Sequence, residues 1–440
     1  MSARAFDLGV FRVVVFALLL GTPDTRGALA FAALSPALRV TNIAWLSAIV
    51  PANVATTLWL TRGVYAIFVV AALCALVGFR TRMSALIATL TALFLLGLPQ
   101  LYGTARHYHH LVWFAAICAA SPSGDALAID AVLRARRGVA PRESSAHAIA
   151  LGFVAALIGC IFFFPGWWKW RSSALAWAMS DNLVNQMHWK WLQSRWLPFW
   201  RIDLHPRVCH AAALATMIFE VGFVICLPFR KLRPWAALAA LTFHAATALF
   251  MHIVFASLMW CYVAFVPFGR ALAQPYERAM QRWKTRPSGS SSAKLTVTVG
   301  VFLVAGACLT GVRAQVRGWP FACYPTFAAI VPAKMVDLEV EVTGVQGTRA
   351  LPLSTTTTID SQRQQAMRWA LALRPSDAAL RSYLALRAPE LRDAITVEVY
   401  RVYRDTDPER WNQPPHEKVK LASYRGRDLE PASPNCGQAP

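Results

Sequence analysis

The stretch FFFPGWWKWRSS, Phe162 to Ser173, starts as an apolar run of membrane grade and then sets a lysine and an arginine among three tryptophans. It reads in two ways. In the first, indole rings sit at the headgroup level of a bilayer and Lys169 extends its ammonium to water as an anchor. In the second, the rings and the apolar run strip water from the amine, and Lys169 serves as a base. Both readings require a membrane.

The composition supplies one. Of 440 residues, 56% are hydrophobic and 15% charged, and the mean hydropathy is +0.40, too apolar for a soluble chain of this size. The formal net charge of +21 would suggest nucleic acid in a soluble protein. Here the cations lie in short loops between apolar runs, and no RNP, zinc-finger or helix-turn-helix signature is present, so no nucleic-acid partner is expected. Cys74, Cys118, Cys160, Cys226, Cys261 and Cys308 sit inside apolar runs and read as small core residues. Cys323 and Cys436 stand in polar surroundings and are free to pair if that end of the chain is extracytoplasmic.

At about 20 apolar residues per crossing, nine spans are predicted: 8 to 22, 63 to 79, 83 to 102, 108 to 122, 147 to 165, 208 to 228, 235 to 251, 254 to 269 and 295 to 312. The first is a retained helix rather than a signal peptide, because Asp7 and Arg12 interrupt it. Residues 23 to 62 read as interfacial or re-entrant. Cations cluster at Arg80 and Arg82, at Arg134 to Arg142, at Arg230 to Arg233, and from Arg270 to Arg286, after spans two, four, six and eight. Alternation puts all four clusters in the cytoplasm, with the N-terminus inside and the C-terminal region outside. The segment from 166 to 207 runs against this bias. It is extracytoplasmic by count, yet it carries Lys169, Arg171, Lys190, Arg195, Arg201 and Arg207.

After the linker TRPSGSSSA (Thr285 to Ala293) and a last span, the pattern changes. MVDLEVEV, ITVEVYRVYR and EKVKLASYR alternate as half-exposed strands, and SQRQQAMRWALAL and DAALRSYLALRA read as amphipathic helices. The expected fold class is an all-α polytopic membrane domain of about eight to nine transmembrane helices with a small C-terminal α+β extramembrane domain. The expected division is 1–275 membrane domain, 276–293 loop and linker, 294–313 final span, and 314–440 terminal domain.

Two ionisable groups fall inside spans. Glu220 and His244 lie on consecutive helices at a similar depth, about 14 to 15 Å from the shared turn. A buried carboxylate needs a partner, and His244 is the expected one. His107, His109 and His110 open span four. Adjacent histidines face different sides of a helix, and with no third ligand at metal spacing no metal is expected.

Taken together, these residues resemble the vitamin K-dependent gamma-carboxylase superfamily, including the bacterial proteins with the horizontally transferred transmembrane (HTTM) domain. FFFPGWWKWRSSALAWAMSDNL is similar to the carboxylase segment in which an aromatic helix end meets a glycine and a lysine. HHLVWFAAICAASPSGDALAID resembles that family's fourth helix and loop, with His110 at the functional histidine and Asp130 at a recurrent aspartate. FHAATALFMHIVFASLMWCYVAFVPF resembles its later helix pair through Phe243 and His244. Glu220 matches an acidic position, and LGVFRVVVFALLLG, with Arg12, resembles the first helix. The similarity runs from about residue 5 to 270.

The resemblance implies Lys169 as general base, His110, His244 and Glu220 as its catalytic companions, and Trp168, Trp170, His109 and Phe243 around a reduced, vitamin K-like quinone. It also implies an outward-opening cavity in a bacterial-type inner membrane, with membrane lipid and a small-molecule or protein substrate as partners. The carboxylase's large luminal region has no counterpart, so carboxylation of protein glutamates is not expected. The alternatives are a non-catalytic lipid- or quinone-binding scaffold that presents its C-terminal domain, and a proton-coupled transporter, for which no inverted repeat is visible.

Overall fold

A computed structural model describes residues 3–103, 108–139, 144–229, 231–280, 293–315, 318–322, 328–351 and 361–429, without the side chains of 3, 279–280, 361–366 and 388–389. His107, Arg142, Arg230, Arg282, Cys323, Cys436 and the linker through residue 292 lie outside the described residues.

The chain is mainly helical. In order come α1 (Ala3–Gly21), α2 (Pro23–Ala32), α3 (Ala44–Ile49), α4 (Val54–Val77), α5 (Thr81–Gly97), α6 (His109–Ala120), α7 (Ile129–Arg136) and α8 (Ala146–Ser173). There follow α9 (Ala176–Met179), α10 (Asn182–Ser194), α11 (Pro206–Cys226), α12 (Arg233–Met251), α13 (Ala256–Cys261), α14 (Phe268–Met280) and α15 (Lys294–Val312). The terminal part holds β1 (Lys334–Gly344), β2 (Gly347–Leu351), α16 (Ser361–Leu373), α17 (Asp377–Ala385), α18 (Ala388–Leu391), β3 (Thr396–Asp405) and β4 (Glu417–Tyr424).

Among the described residues seven helices are long and apolar enough to cross a bilayer, or eight if a bent pair counts as one span. Two of the nine expected spans therefore need correction. The expected span 108–122 is the 12-residue helix α6, about 18 Å long. It is buried among its neighbours, so protein rather than lipid satisfies its ends. The expected span 254–269 breaks between Phe265 and Phe268 with a bend of 73°, because Pro267 holds Val266 in extended backbone and stops the first piece. A third correction concerns α8, which runs through Pro165 to Ser173 instead of ending there. Membrane helices tolerate such a proline when neighbours satisfy the freed carbonyl.

The outer surface carries a belt of exposed apolar side chains, among them Ile67, Val70 and Leu90, Ile218 and Leu249, and Val301 and Phe302. A belt of this extent is lipid-facing surface, and the protein is a multi-pass membrane protein. Inside, α1 is central: Leu8, Phe11, Val15, Phe16 and Leu19 are fully buried. Helix α8 lies between α11 and α15, and glycines set the distances. A Cβ on Gly166 would come within 2.7 Å of the Glu220 Cβ, and one on Gly159 within 2.6 Å of Leu227. On the other side, Gly300 and Gly311 of α15 receive the rings of Phe153 and Phe164.

One end of the bundle is knit by polar contacts to backbone. Arg12, with no exposed surface, donates to the carbonyls of Ser123 (2.9 Å) and Leu127 (2.5 Å), which ties α1 to the loop after α6. Asp130 accepts from the backbone N–H of Arg80 (2.9 Å) and Thr81 (2.8 Å) and from the Thr81 hydroxyl (2.7 Å), capping α5 from another helix. Gly78 between them has φ +71°, and a side chain there would meet Ala128 and Arg12.

The terminal strands form an antiparallel sheet of order β2-β1-β3-β4, with Val340 opposite both Leu351 and Val399. The preceding segment is pinned to the opposite end of the bundle: Trp319 donates to Leu93 O (2.8 Å), while Trp45 and Trp113 donate to the carbonyls of Trp319 (2.8 Å) and Pro320 (3.0 Å).

The capping contacts make a test. Asp130→Ala removes three hydrogen bonds at a helix start and should cost about 1–2 kcal/mol, read as a lower thermal midpoint of the purified protein in detergent, whereas Asp393→Ala, an exposed carboxylate on the terminal domain, should leave it unchanged.

Candidate functional site

A cavity of about 180 Å³ lies between α8, α10, α11 and α12. Its walls are largely aromatic and aliphatic, with Phe162, Phe243, Phe250, Phe255 and Leu258 among them. Eight polar side chains line it: His110, Lys169, Gln186, Thr216, Glu220, His244, Thr247 and Ser257.

Lys169 is 2% exposed and Glu220 5%. The Lys169 Nζ donates to both Glu220 carboxylate oxygens at 2.6 Å, and it lies 4.8 Å from the centroid of Trp177. The pairing follows from the helix geometry. A helical side chain leans toward its own N-terminus, so Lys169 reaches back over Gly166, one turn earlier, and Gly166 is the residue against which Glu220 packs. The expected Glu220–His244 pair does not form. His244 Nε2 lies 2.7 Å from the Tyr262 hydroxyl, its ring is stacked near Tyr262 and tilted against Phe255, and its Nδ1 has no hydrogen-bond partner among the described residues.

Of the residues singled out in the sequence, Lys169, His110, His244, Glu220 and Phe243 meet at this cavity. The other three face elsewhere. Trp168 donates to Gly311 O of α15 at 2.7 Å, and Trp170 packs against the small cluster of Trp177, Ala213 and Met217. His109 lies 3.2 Å from Gly318 O and 4.8 Å from the Trp319 ring. Adjacent in sequence, His109 and His110 point to different sides of α6.

Five of the six cations of the 166–207 segment have protein partners, Lys169 in the pair above and four others, while Arg207 is exposed. Arg171 lies over Trp168, and Arg195 over Trp411. Lys190 donates to Gln193 at 3.0 Å, and burial pushes its ammonium down to about 8. Arg201 forms a fork with Asp203 (2.8 and 2.7 Å), whose second oxygen also meets His188 Nε2 at 2.9 Å. Burial works to raise the Asp203 carboxyl, but the bonds from Arg201 and His188 outweigh it and hold the group below its ordinary value. This clamp joins α10 to the turn before α11, and its neighbour Ile202 lines the cavity. Helix α10 is also held from the terminal side, where Asn182 accepts from Val331 N (2.9 Å) and Asn185 donates to Val331 O (3.0 Å).

Sequence reasoning passed over Tyr262, Trp177, Gln186 and the clamp. A signal existed for Tyr262, a phenol in an apolar run that needs a partner when buried. Trp177 and Gln186 carry no such mark, because only the fold turns α9 and α10 over the cavity.

The sequence profile of the HTTM domain matches residues 3–268. The chain belongs to the HTTM family. No curated protein and no solved structure matches it. The HTTM match contains every residue that lines the cavity and stops at the start of α14, so α15 and the terminal sheet lie beyond it.

Two tests follow from this geometry. In the HTTM bundle, breaking the buried pair from one side strands a charge. Lys169→Met and Glu220→Leu should each lower stability by about 3–5 kcal/mol, and the double variant should recover most of that loss in a thermal double-mutant cycle. The Asp203 clamp contributes above the unfolded carboxylate value and loses its contribution as pH falls through the lower folded value. Asp203→Asn should therefore depress the thermal midpoint at pH 7 and make little difference near pH 2.

Proposed function

We propose that this HTTM protein binds a reduced quinone in the cavity and that Lys169 with Glu220 handles the ligand's hydroxyl proton. The observation that carries this reading is a desolvated amine–carboxylate pair in the wall of an aromatic-lined cavity. The residues fit a flat ring with polar edges: Phe162, Phe243 and Phe255 offer apolar faces, and His244, oriented through Tyr262, offers an Nδ1 that no other described group uses. A hydroquinone, when bound, supplies an acidic ring hydroxyl and two reducing electrons for reaction with oxygen.

The chain's own part is a proton relay. Lys169 Nζ takes up a proton from the ligand hydroxyl as one of its own protons passes to a Glu220 oxygen. The ammonium persists, the carboxylate becomes a neutral acid, and the ligand's new negative charge faces a cation. The apolar walls exclude water, which strengthens that attraction and keeps protons from leaking away. In this reading His110 positions the reacting oxygen. The end bearing Arg80, Arg82, Arg134 and Arg136 faces the cytoplasm of a bacterial-type inner membrane, a placement supported by the loop-charge bias, and the terminal sheet lies outside. The substrate downstream of the quinol is a small molecule or a protein.

One observation favours a non-catalytic scaffold: the Lys169–Glu220 pair also ties α8 to α11. Quinol binding and turnover separate the two. Purified protein in nanodiscs should show quenching of tryptophan fluorescence by a reduced naphthoquinone and should consume oxygen. The Lys169→Met/Glu220→Leu double variant removes both charges together and should keep the quenching while losing oxygen uptake above the spontaneous rate. Undiminished uptake in that variant leaves the scaffold reading, and absence of quenching in the wild type ends the quinone reading.

A further inference from the structure

A second pocket, of about 290 Å³, opens at the end of the bundle where α1 begins. Three separate stretches of chain meet there. Arg4 comes from the first turn of α1, Lys231 and Arg233 come from the turn into α12, and Arg270 comes from the first turn of α14. Pro234, Ala264, Phe265 and Pro267 complete the lining, which contains four cationic side chains and no carboxylate among the described residues. Asp7 stands beside the rim and is already engaged: Oδ1 accepts from Gly269 N at 2.7 Å and Oδ2 lies 3.6 Å from Arg4. Arg233 is partly committed to the frame, since its Nε donates to Leu227 O at 2.7 Å.

Asp7 answers Arg4 in part, and four cations against one carboxylate leave a concave site of net positive charge that favours a further anion. Three of the positions, Lys231, Arg233 and Arg270, are placed here by the tight α11–α12 turn and the break at Pro267. The flanks identify the anion's other half. Phe229, Leu232, Trp235 and Val266 alternate in sequence with the pocket residues, and all four are exposed, with Trp235 at 69%. Exposed indole and alkyl groups beside a basic notch at a helix end are the pattern of a bilayer interface.

We infer that this pocket binds the phosphate of an anionic phospholipid, with the acyl chains lying along Leu232 and Trp235. The ligand chemistry is a phosphate ester bearing a net negative charge. Free phosphate shares the anion but has nothing to place on the apolar flank, so the two sources give different results. The site is separate from the quinone-size cavity, and its test does not involve turnover.

The test uses the full chain in detergent, supplemented with phosphatidylglycerol, phosphatidylcholine or inorganic phosphate, and reads retained lipid by native mass spectrometry together with the thermal midpoint. Phosphatidylglycerol should be retained and should raise the midpoint by several degrees over phosphatidylcholine, and millimolar phosphate should not. Each basic side chain at a membrane surface contributes roughly fivefold to anionic-lipid affinity, so Lys231→Gln/Arg270→Gln should weaken retention by about thirtyfold. Both residues are exposed, so the substitutions leave the core intact. The matched control Arg82→Gln/Arg136→Gln removes the same charge from exposed positions outside the pocket and should retain the wild-type response. Equal losses in the two double variants, or an undiminished response in the pocket variant, would overturn the site. A full shift from inorganic phosphate would overturn its assignment to lipid.

Discussion

An ammonium and a carboxylate cannot stand apart inside an apolar bundle, and the placement of Lys169 against Glu220 is the constraint on which the rest of the cavity depends. Desolvating either charge alone costs several kcal/mol, about as much as a domain of this kind has to spare. The pair is tolerable only at contact distance, 2.6 Å here. That distance requires α8 to continue past Pro165, and it requires α11 to approach at Gly166, where a methyl group would already collide with the Glu220 side chain. With those two helices locked, Trp177 and α10 close over the amine, and α12 brings His244 to the same space.

The same rule governs the opposite end of the molecule, with different partners. Arg12 is as deeply buried as Lys169, but it is answered by backbone carbonyls at a loop, not by a carboxylate. A guanidinium spreads five donors over a planar group and reaches several carbonyls at once, whereas an ammonium is a compact charge with three donors at one point. Arg12 thus acts as a strut for the loop that carries Asp130 near α5, and Lys169 stands against a carboxylate in the cavity wall. The two residues show how one physical requirement yields a structural cation in one place and a candidate chemical one in another.

Much was legible in the chain. The long apolar helices, the strand alternation near Val340 and Val399, and the lysine among tryptophans all express local periodicity, and periodicity is a property of sequence. The HTTM resemblance was carried by the same local stretches. The errors have a common origin. Span 108–122 was counted as a crossing because its composition qualifies, although a helix sheathed by protein need not match the bilayer thickness. The apolar run 147–165 marks only the part of α8 that composition reveals, and the helix continues through Pro165 because neighbours in a bundle satisfy the freed carbonyl. The cations from Arg171 to Arg201 contradicted the loop-charge bias only while their aromatic and carboxylate partners, Trp168, Trp411 and Asp203, were out of view.

By itself the sequence determined that this is a polytopic helical protein, which residues are too polar to face lipid, and which loops are basic. These are consequences of transfer free energy and helix length, and both are summed over neighbours along the chain. Only the tertiary structure decided who answers whom: Glu220 with Lys169 instead of His244, His244 with Tyr262, and His110 rather than His109 at the cavity. Partners on separate helices are chosen by the rotation and spacing of those helices, which glycine contacts such as Gly166 against Glu220 set, and no local pattern records the angle at which two helices meet.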